Sequence, residues 1–456
     1  MTGRYALWSV GFWAVAVPLA DGGCGRMGFE YRRVDAAASR DGPGTTEAGV
    51  RDGTFSPDAG ADADRATCTA DADCDDGEPC TSDACDPSGV CVHTRDATCS
   101  VRCTVATGAA HACLLAPDGG VRCWGGNDKG QVGIDDMADQ LRPVGVTTAP
   151  SQRLVAGDEH ACVLDADGAV ACWGSNRRGQ LGVGSVTDQA RPVVVGMLRA
   201  HVVVAGGSLT CGVDETGAAW CWGANEYGQV GNGERQADPV VSPEAVVADG
   251  RPWRFLAAGQ EFVCGLDGED MGWCWGRADN GRLPGWDAGA WSSLPVRAPA
   301  LDRAERLSLG TVHGCLVRGG QLRCWGNDAD GVVGAGGGVY VDSVLVDVSG
   351  TRVRQVSAGR AHTCAVTEDG ALWCWGRNAY GELGLGDTQR RSAPTRVAAG
   401  QRWYTVSAGH YFTCAIDASG ALWCWGRNDR GQLGLGDREP RTSPQLVLSA
   451  AQACGW

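Results

Sequence analysis

Residues Ala361–Asp387 read AHTCAVTEDGALWCWGRNAYGELGLGD, and variants of this stretch recur along most of the 456-residue chain. The fixed point is a Cys-Trp-Gly triplet beginning at Cys123, Cys172, Cys221, Cys274, Cys324, Cys374 and Cys424. Successive triplets are 49, 49, 53, 50, 50 and 50 residues apart. A period near 50 marks supersecondary units that bury their apolar faces only by stacking on one another. Each unit alternates apolar and polar residues on both sides of a turn, which is the pattern of a β-hairpin and not of a helix. Units of this length and character predict four-stranded propeller blades. Seven blades close a ring, and closure removes the sheet edges on which other chains could pair. The predicted fold class is therefore all-β, a seven-bladed β-propeller over residues 100–456.

Paired cysteines set the register of each hairpin. In six repeats a second cysteine lies ten residues before the triplet cysteine, as Cys364 does before Cys374. A three-residue loop Glu368-Asp369-Gly370, with its last residue in the left-handed region, puts Thr367 opposite Ala371 and Cys364 opposite Cys374. The same loop position holds Gly119, Gly168, Gly217, Gly420 and, in one repeat, Asp270. In the remaining repeat Cys315 and Cys324 are nine apart, and the turn shrinks to Gly319-Gly320. One loop residue is lost and the cysteines still face each other. Directly opposed residues have β-carbons about 4.5–5.5 Å apart, close to disulfide distance. Zinc is the competing reading, but nine intervening residues are not a knuckle spacing and no second pair lies nearby. Disulfides are expected at Cys113–Cys123, Cys162–Cys172, Cys211–Cys221, Cys264–Cys274, Cys315–Cys324, Cys364–Cys374 and Cys414–Cys424.

Two more cysteines mark the ends of the ring. Cys103 precedes Cys113 by ten residues, and Cys454 follows Cys414 by 40. At a period of 50, Cys454 therefore lies ten before the place of an eighth repeat, which in a seven-bladed ring is blade one again. A Cys103–Cys454 disulfide is expected to shut the ring.

Ahead of the ring, residues 1–24 read as an export signal, with Arg4 before an apolar run from Tyr5 to Ala20 that is short for a membrane span. Asp21-Gly22-Gly23-Cys24 resembles a bacterial lipoprotein cleavage site, with Cys24 as the lipidated residue. Removing Cys24 from the 23 cysteines leaves an even number. The alternative is cleavage after Ala20 with Cys24 an ordinary thiol. Residues 25–67 have few large apolar side chains and read as a disordered tether. Residues 68–99 carry six cysteines in 32 positions and read as a small disulfide module whose connectivity the sequence leaves open. Its acids Asp71, Asp73, Asp75 and Asp76 lack the Gly and the final acidic residue of a calcium loop, so they read as a solvated face. The net charge of −15 excludes a nucleic-acid-binding surface, which would be basic.

The repeat pattern is a Gly, often a His two before the first Cys, then Asp-Gly, Trp-Gly, Asn and a GQLG or GELG run. It resembles the regulator of chromosome condensation repeat, best in 426–436 (GRNDRGQLGLG), 376–386 and 174–184. The departures are the paired cysteines and irregular blades three to five. The resemblance implies a propeller; the nucleotide exchange on a nuclear GTPase and the chromatin binding of the family's founding members do not suit an exported acidic chain.

His111, His160, His313 and His362 share one repeat position with Leu209, Phe262 and Phe412, so that position packs or hydrogen-bonds and does not bind metal. The triplet Trp residues read as blade packing. No HExxH, GxSxG or phosphate loop is present, so no catalytic residue, metal or cofactor is assigned. Blade four replaces the usual run with GRLPGWDAGAWSSLP, which puts Trp286 and Trp291 in an expected surface loop, and blade five adds Tyr340 after three glycines. These three are the candidate binding residues, with folding back onto the blade as the alternative. The function expected is a monomeric, non-catalytic scaffold at the cell envelope, or secreted, that recognises a protein. Membrane contact would come only through the lipid. The alternatives are a carbohydrate or cell-wall binding module and an enzyme, a hydrolase or lyase, with its site in the channel.

Overall fold

The computed structural model describes residues 81–85, 91–95, 103–286, 290–338 and 341–454. Residues 1–24 with Cys24, read above as an export signal, residues 25–67, read as a tether, most of residues 68–99 and Tyr340 lie outside these residues. Within the module, Thr81–Cys85 and Cys91–Arg95 pair antiparallel, with Cys85 opposite Cys91.

From Cys103 onward the chain forms seven blades, each of four antiparallel strands laid down consecutively from the channel outward. Blade six shows the plan: Val353–Ala358, His362–Thr367, Leu372–Gly376 and Arg391–Val397. Between blades two and three the chain runs on as one 18-residue strand, Gln189–Gly206. Its first part pairs with Ala169–Gly174 and its last with Leu209–Asp214, so it is at once the outer strand of one blade and the inner strand of the next. The segment is rich in valine, which suits extended backbone.

The hairpins have the expected register. Cys364 is opposite Cys374, Thr367 N donates to Ala371 O, and Gly370 has φ of 80°. Asp270 occupies the same left-handed place with φ of 61°. In blade five Gly319 and Gly320 have φ of 57° and 72°, both positive as a two-residue turn requires, and Cys315 faces Cys324. Each of the seven hairpin pairs is disulfide-bonded with its Cα atoms 4.1 Å apart, and every one of these cysteines is buried.

Two recurrent devices hold blades and loops. The triplet Trp is fully buried in every blade, and its indole N–H donates to a backbone carbonyl of the preceding blade. Trp173 donates to Gln131 O (3.1 Å), Trp222 to Gln180 O (3.0 Å), Trp275 to Gln229 O (3.0 Å) and Trp325 to Arg282 O (2.9 Å). Trp375 donates to Val332 O (2.8 Å), Trp425 to Glu382 O (3.0 Å), and Trp124 reaches round to Gln432 O (2.9 Å) in blade seven. The apolar body thus fills the space between blades while the polar tip is satisfied across it. The motif Asn staples its own loop: Asn428 Oδ1 accepts Leu433 N (3.0 Å) and Nδ2 donates to Asp437 O (3.1 Å). Asp328 replaces Asn in blade five and accepts two backbone N–H groups instead.

Blades one and seven are each complete from their own contiguous strands, so the ring closes without exchanging a strand between its ends. The seam has the ordinary blade contacts, including the Trp124 bond and Thr107 Oγ1 to Ser407 Oγ at 2.8 Å. A one-turn helix, Ala450–Ala453, capped by Ser449, then brings Cys454 to Cys103, Cα to Cα 5.5 Å. The two are disulfide-bonded and buried with Val105, Phe412 and Leu422, and Arg122 of blade one donates to Gln452 O.

Candidate functional site

The repeated histidines are links between blades. His160 Nε2 is 2.8 Å from Thr210 Oγ1 in the following blade, and His313–Thr363 and His362–Thr413 repeat the contact at 2.8 Å. Each threonine hydroxyl donates its one proton to a backbone carbonyl, of Gln180, Val332 or Glu382. Its oxygen must therefore accept from imidazole Nε2–H, which places a proton on Nε2. Burial pushes the pKa of His160 and His362 down to about 3 and that of His111 and His313 to about 4. His111 faces blade two, where Ala161 stands in place of threonine, so the interblade hydroxyl contact is missing there.

The groups with freedom to act lie at one end of the channel. In each blade the first strand ends in a corner glycine, such as Gly157, Gly259, Gly359 or Gly409, packed against the next blade. A Cβ on Gly359 would approach Gly409 O to 2.5 Å, so nothing larger fits there. The residue after the corner is unlike in every blade: Ala109, Asp158, Gly207, Gln260, Thr311, Arg360 and His410. Three of these meet across the channel. His410 Nε2 lies 2.8 Å from Asp158 Oδ1, two blades away, and Gln260 Nε2 donates to Asp158 Oδ2 at 3.2 Å. Burial opposes the charge on Asp158, but the bonds from His410 and Gln260 outweigh it and hold the carboxyl below its usual range. The space these groups enclose is about 100 Å³, below the few hundred Å³ of a typical ligand pocket. Among the described residues no serine or cysteine nucleophile is hydrogen-bonded to His410.

Around this mouth the face is divided by charge. Blades two to four contribute Asp158, Glu226, Glu261 and Asp279, with Arg178 paired to Glu226 and Arg277 to both Glu261 and Asp279 at 2.7 Å. Blades six and seven contribute Tyr380 and Tyr411, ring centroids 5.5 Å apart, surrounded by arginines. Arg360 and Arg377 lie 5.5 and 5.1 Å from the Tyr411 centroid, and Arg427 lies 5.6 Å from that of Tyr380. Backbone bonds Arg377 N to Ala361 O and Arg427 N to Tyr411 O fix these residues on one rim.

The aromatic residues singled out in the sequence do not converge. Trp286 is half-buried against the core formed by Leu283, Leu301 and Trp325, so it is a packing residue and not an exposed loop anchor. Its loop is shorter than the insertion implies, because Trp291 already begins the strand Trp291–Arg297. Trp291 is 38% exposed and lies beneath the Arg235 guanidinium, 4.9 Å from its centroid. Tyr340 lies outside the described residues. The reading of the sequence missed the residues after the corner glycines, although their variability within a regular repeat was the available signal.

A closed seven-bladed propeller with a narrow channel and one charge-divided mouth defines the class. The regulator of chromosome condensation (RCC1) repeat matches residues 167–213, 216–266, 369–416 and 419–455, and a second description of that repeat matches 103–131, 152–180, 201–229, 353–382 and 404–432. Together these span more than half of the chain, and the protein belongs to the RCC1 repeat family. Residues 73–95 match the Dictyostelium (slime mold) repeat. The ultraviolet-B receptor UVR8 of Arabidopsis thaliana is 35% identical over 101 residues, 21% of this chain and 23% of the receptor. Among solved structures, Saccharomyces cerevisiae Prp20p, characterised for binding to Gsp1p and histones, is similar with a TM-score of 0.66 at 20% identity, over 72% of this chain and 86% of that one. Human WBSCR16 is similar with a TM-score of 0.62 at 19% identity, over 72% and 90%.

Proposed function

We propose that this protein is an exported, non-catalytic binding scaffold, held at the cell envelope through Cys24, that recognises a protein partner at the channel mouth. The observation that carries this reading is the charge-divided face itself. It is a rigid rim with varied side chains at seven equivalent places around a channel whose enclosed space is about 100 Å³. Eight buried disulfides among the described residues suit an oxidising compartment, as does the export signal. Protein binding by Prp20p is compatible with such a use of the fold.

The test is affinity capture with the exported form from envelope extracts and culture medium, followed by mass spectrometry. The expected result is a protein retained by the folded ring and lost when its disulfides are reduced and the ring unfolds. Retention of nothing above a bare-matrix control, or of glycan alone, refutes the reading.

A further inference from the structure

The repeat supplies its own comparison for the arginines at the mouth. Arg277, Arg377 and Arg427 stand at the same place in blades four, six and seven, directly after the Gly of the Cys-Trp-Gly triplet. In blade four Arg277 is held by two carboxylates of its own blade, Glu261 and Asp279, each at 2.7 Å and each shared with Arg282, and its guanidinium also lies over Tyr227 at 4.7 Å. Arg427 keeps one carboxylate, Asp429, at 2.6 Å. In blade six both carboxylates are gone: Ala361 replaces Glu261 and Ala379 replaces Asp279. Arg377 keeps the aromatic contact, now with Tyr411, but has no ion pair among the described residues.

Arg360 adds to the imbalance. It is exposed, lies over the same Tyr411 ring, and likewise makes no ion pair among the described residues. Two guanidinium groups are thus held within about 5.5 Å of one ring centroid without a paired anion, in a chain of net charge −15. Arg377 acts electrostatically on Glu382, but that carboxyl is fully buried, and burial pushes its pKa up, which weakens it as a counter-charge. Tyr380 is 38% exposed beside the pair.

The geometry points to a docking site for an acidic segment of a partner protein, whose carboxylates would take the places at Arg377 and Arg360 that Glu261 and Asp279 take at Arg277. This rests on the scaffold reading and names the chemistry of its partner. Carboxylate is the ligand indicated because the fold already solves the same arginine position with two carboxylates. Guanidinium forks pair with them bidentately, and the tyrosine rings keep the forks in place.

The experiment measures fluorescence anisotropy of a labelled deca-glutamate peptide against the full exported chain at about 50 mM salt, where exposed charges are only partly screened. The wild type should bind it. Arg360→Gln with Arg377→Gln should weaken binding at least tenfold without moving the melting temperature, and Arg199→Gln, at an exposed site outside this cluster, should leave it unchanged. Ala379→Asp restores one of the two blade-four carboxylates and should also weaken binding, by supplying an anion to Arg377 within the chain. The inference is overturned if the wild type does not bind the peptide or if the double variant binds it equally well. It is also overturned if inorganic phosphate below 1 mM displaces the peptide, which would make the site one for phosphate. Sedimentation showing a wild-type dimer that the double variant loses would reassign the rim to a second copy of the chain. Capture from extracts with the double variant as bait separates the two readings: a protein partner still retained overturns this site and leaves the scaffold standing.

Discussion

Replacing both Cys103 and Cys454 by Ser should destabilise the ring more than removing any hairpin disulfide. The bond joins residues 351 apart, whereas Cys364–Cys374 spans 10. In the chain-entropy description a loop of this length is worth about 6 kcal/mol and the short one about 3 kcal/mol. The structure sharpens the expectation, because blades one and seven share no strand. Without the bond, the seam keeps the indole bond, the ion pairs of Arg430 with Asp128 and Asp139 and of Arg438 with Asp139, and apolar packing like that of the other blade junctions, none of which is a covalent link. All four cysteines are buried, so the cost of placing serine in the core applies to both variants and largely cancels in the comparison. The assay is denaturant unfolding of the two double variants beside the wild type, with hydrogen exchange to locate the opening. The Cys103/Cys454 variant should lose about twice as much stability, with early exchange in blades one and seven. Equal losses, exchange spread evenly around the ring, or a disulfide map joining Cys103 to the 68–99 module would refute the reasoning.

The buried histidines make stability depend on pH. Their folded pKa values lie near 3 to 4, against 6.5 when unfolded, so their neutral form stabilises the fold above pH 6.5 and that contribution is lost as pH falls from 6.5 towards 4. Each contributes up to about 1.4 kcal/mol per pH unit in that window; His362→Phe, the residue of blades four and seven, should flatten the unfolding profile there, and an unchanged slope counts against the linkage. Trp425→Phe keeps most of the apolar body and removes one of the two bonds to the carbonyl of Glu382, which still accepts from Thr413, for a loss of about 0.5–1.5 kcal/mol in chemical denaturation; a neutral effect would show that the indole bond does not matter. Cys24→Ser should move the protein from the membrane fraction to the soluble one, and a wild type already soluble with Asp21 as its first residue removes the lipid anchor.

How much of this was legible in the sequence depends on how far apart the interacting residues are. Hairpin register was written within ten residues, because loop length and strand alternation together leave one pairing. Even the ring-closing disulfide followed, since a constant period turns residue number into angular position. The sequence also showed that the triplet tryptophans and the histidines belong to packing. It could not name their partners, which are a carbonyl of the preceding blade for each indole and a threonine about 50 residues on for each of three imidazoles. Trp286 and Trp291 look alike as letters, but one packs on the core and the other is half-covered by Arg235, because exposure is decided by neighbours from other blades. The mouth belongs to tertiary structure alone. Asp158 and His410 are 252 residues apart and meet only because the ring closes. Arg277 and Arg377 hold the same place in the repeat; the alanines that replace Glu261 and Asp279 in blade six are written in the sequence, but only the fold shows that those carboxylates reach Arg277.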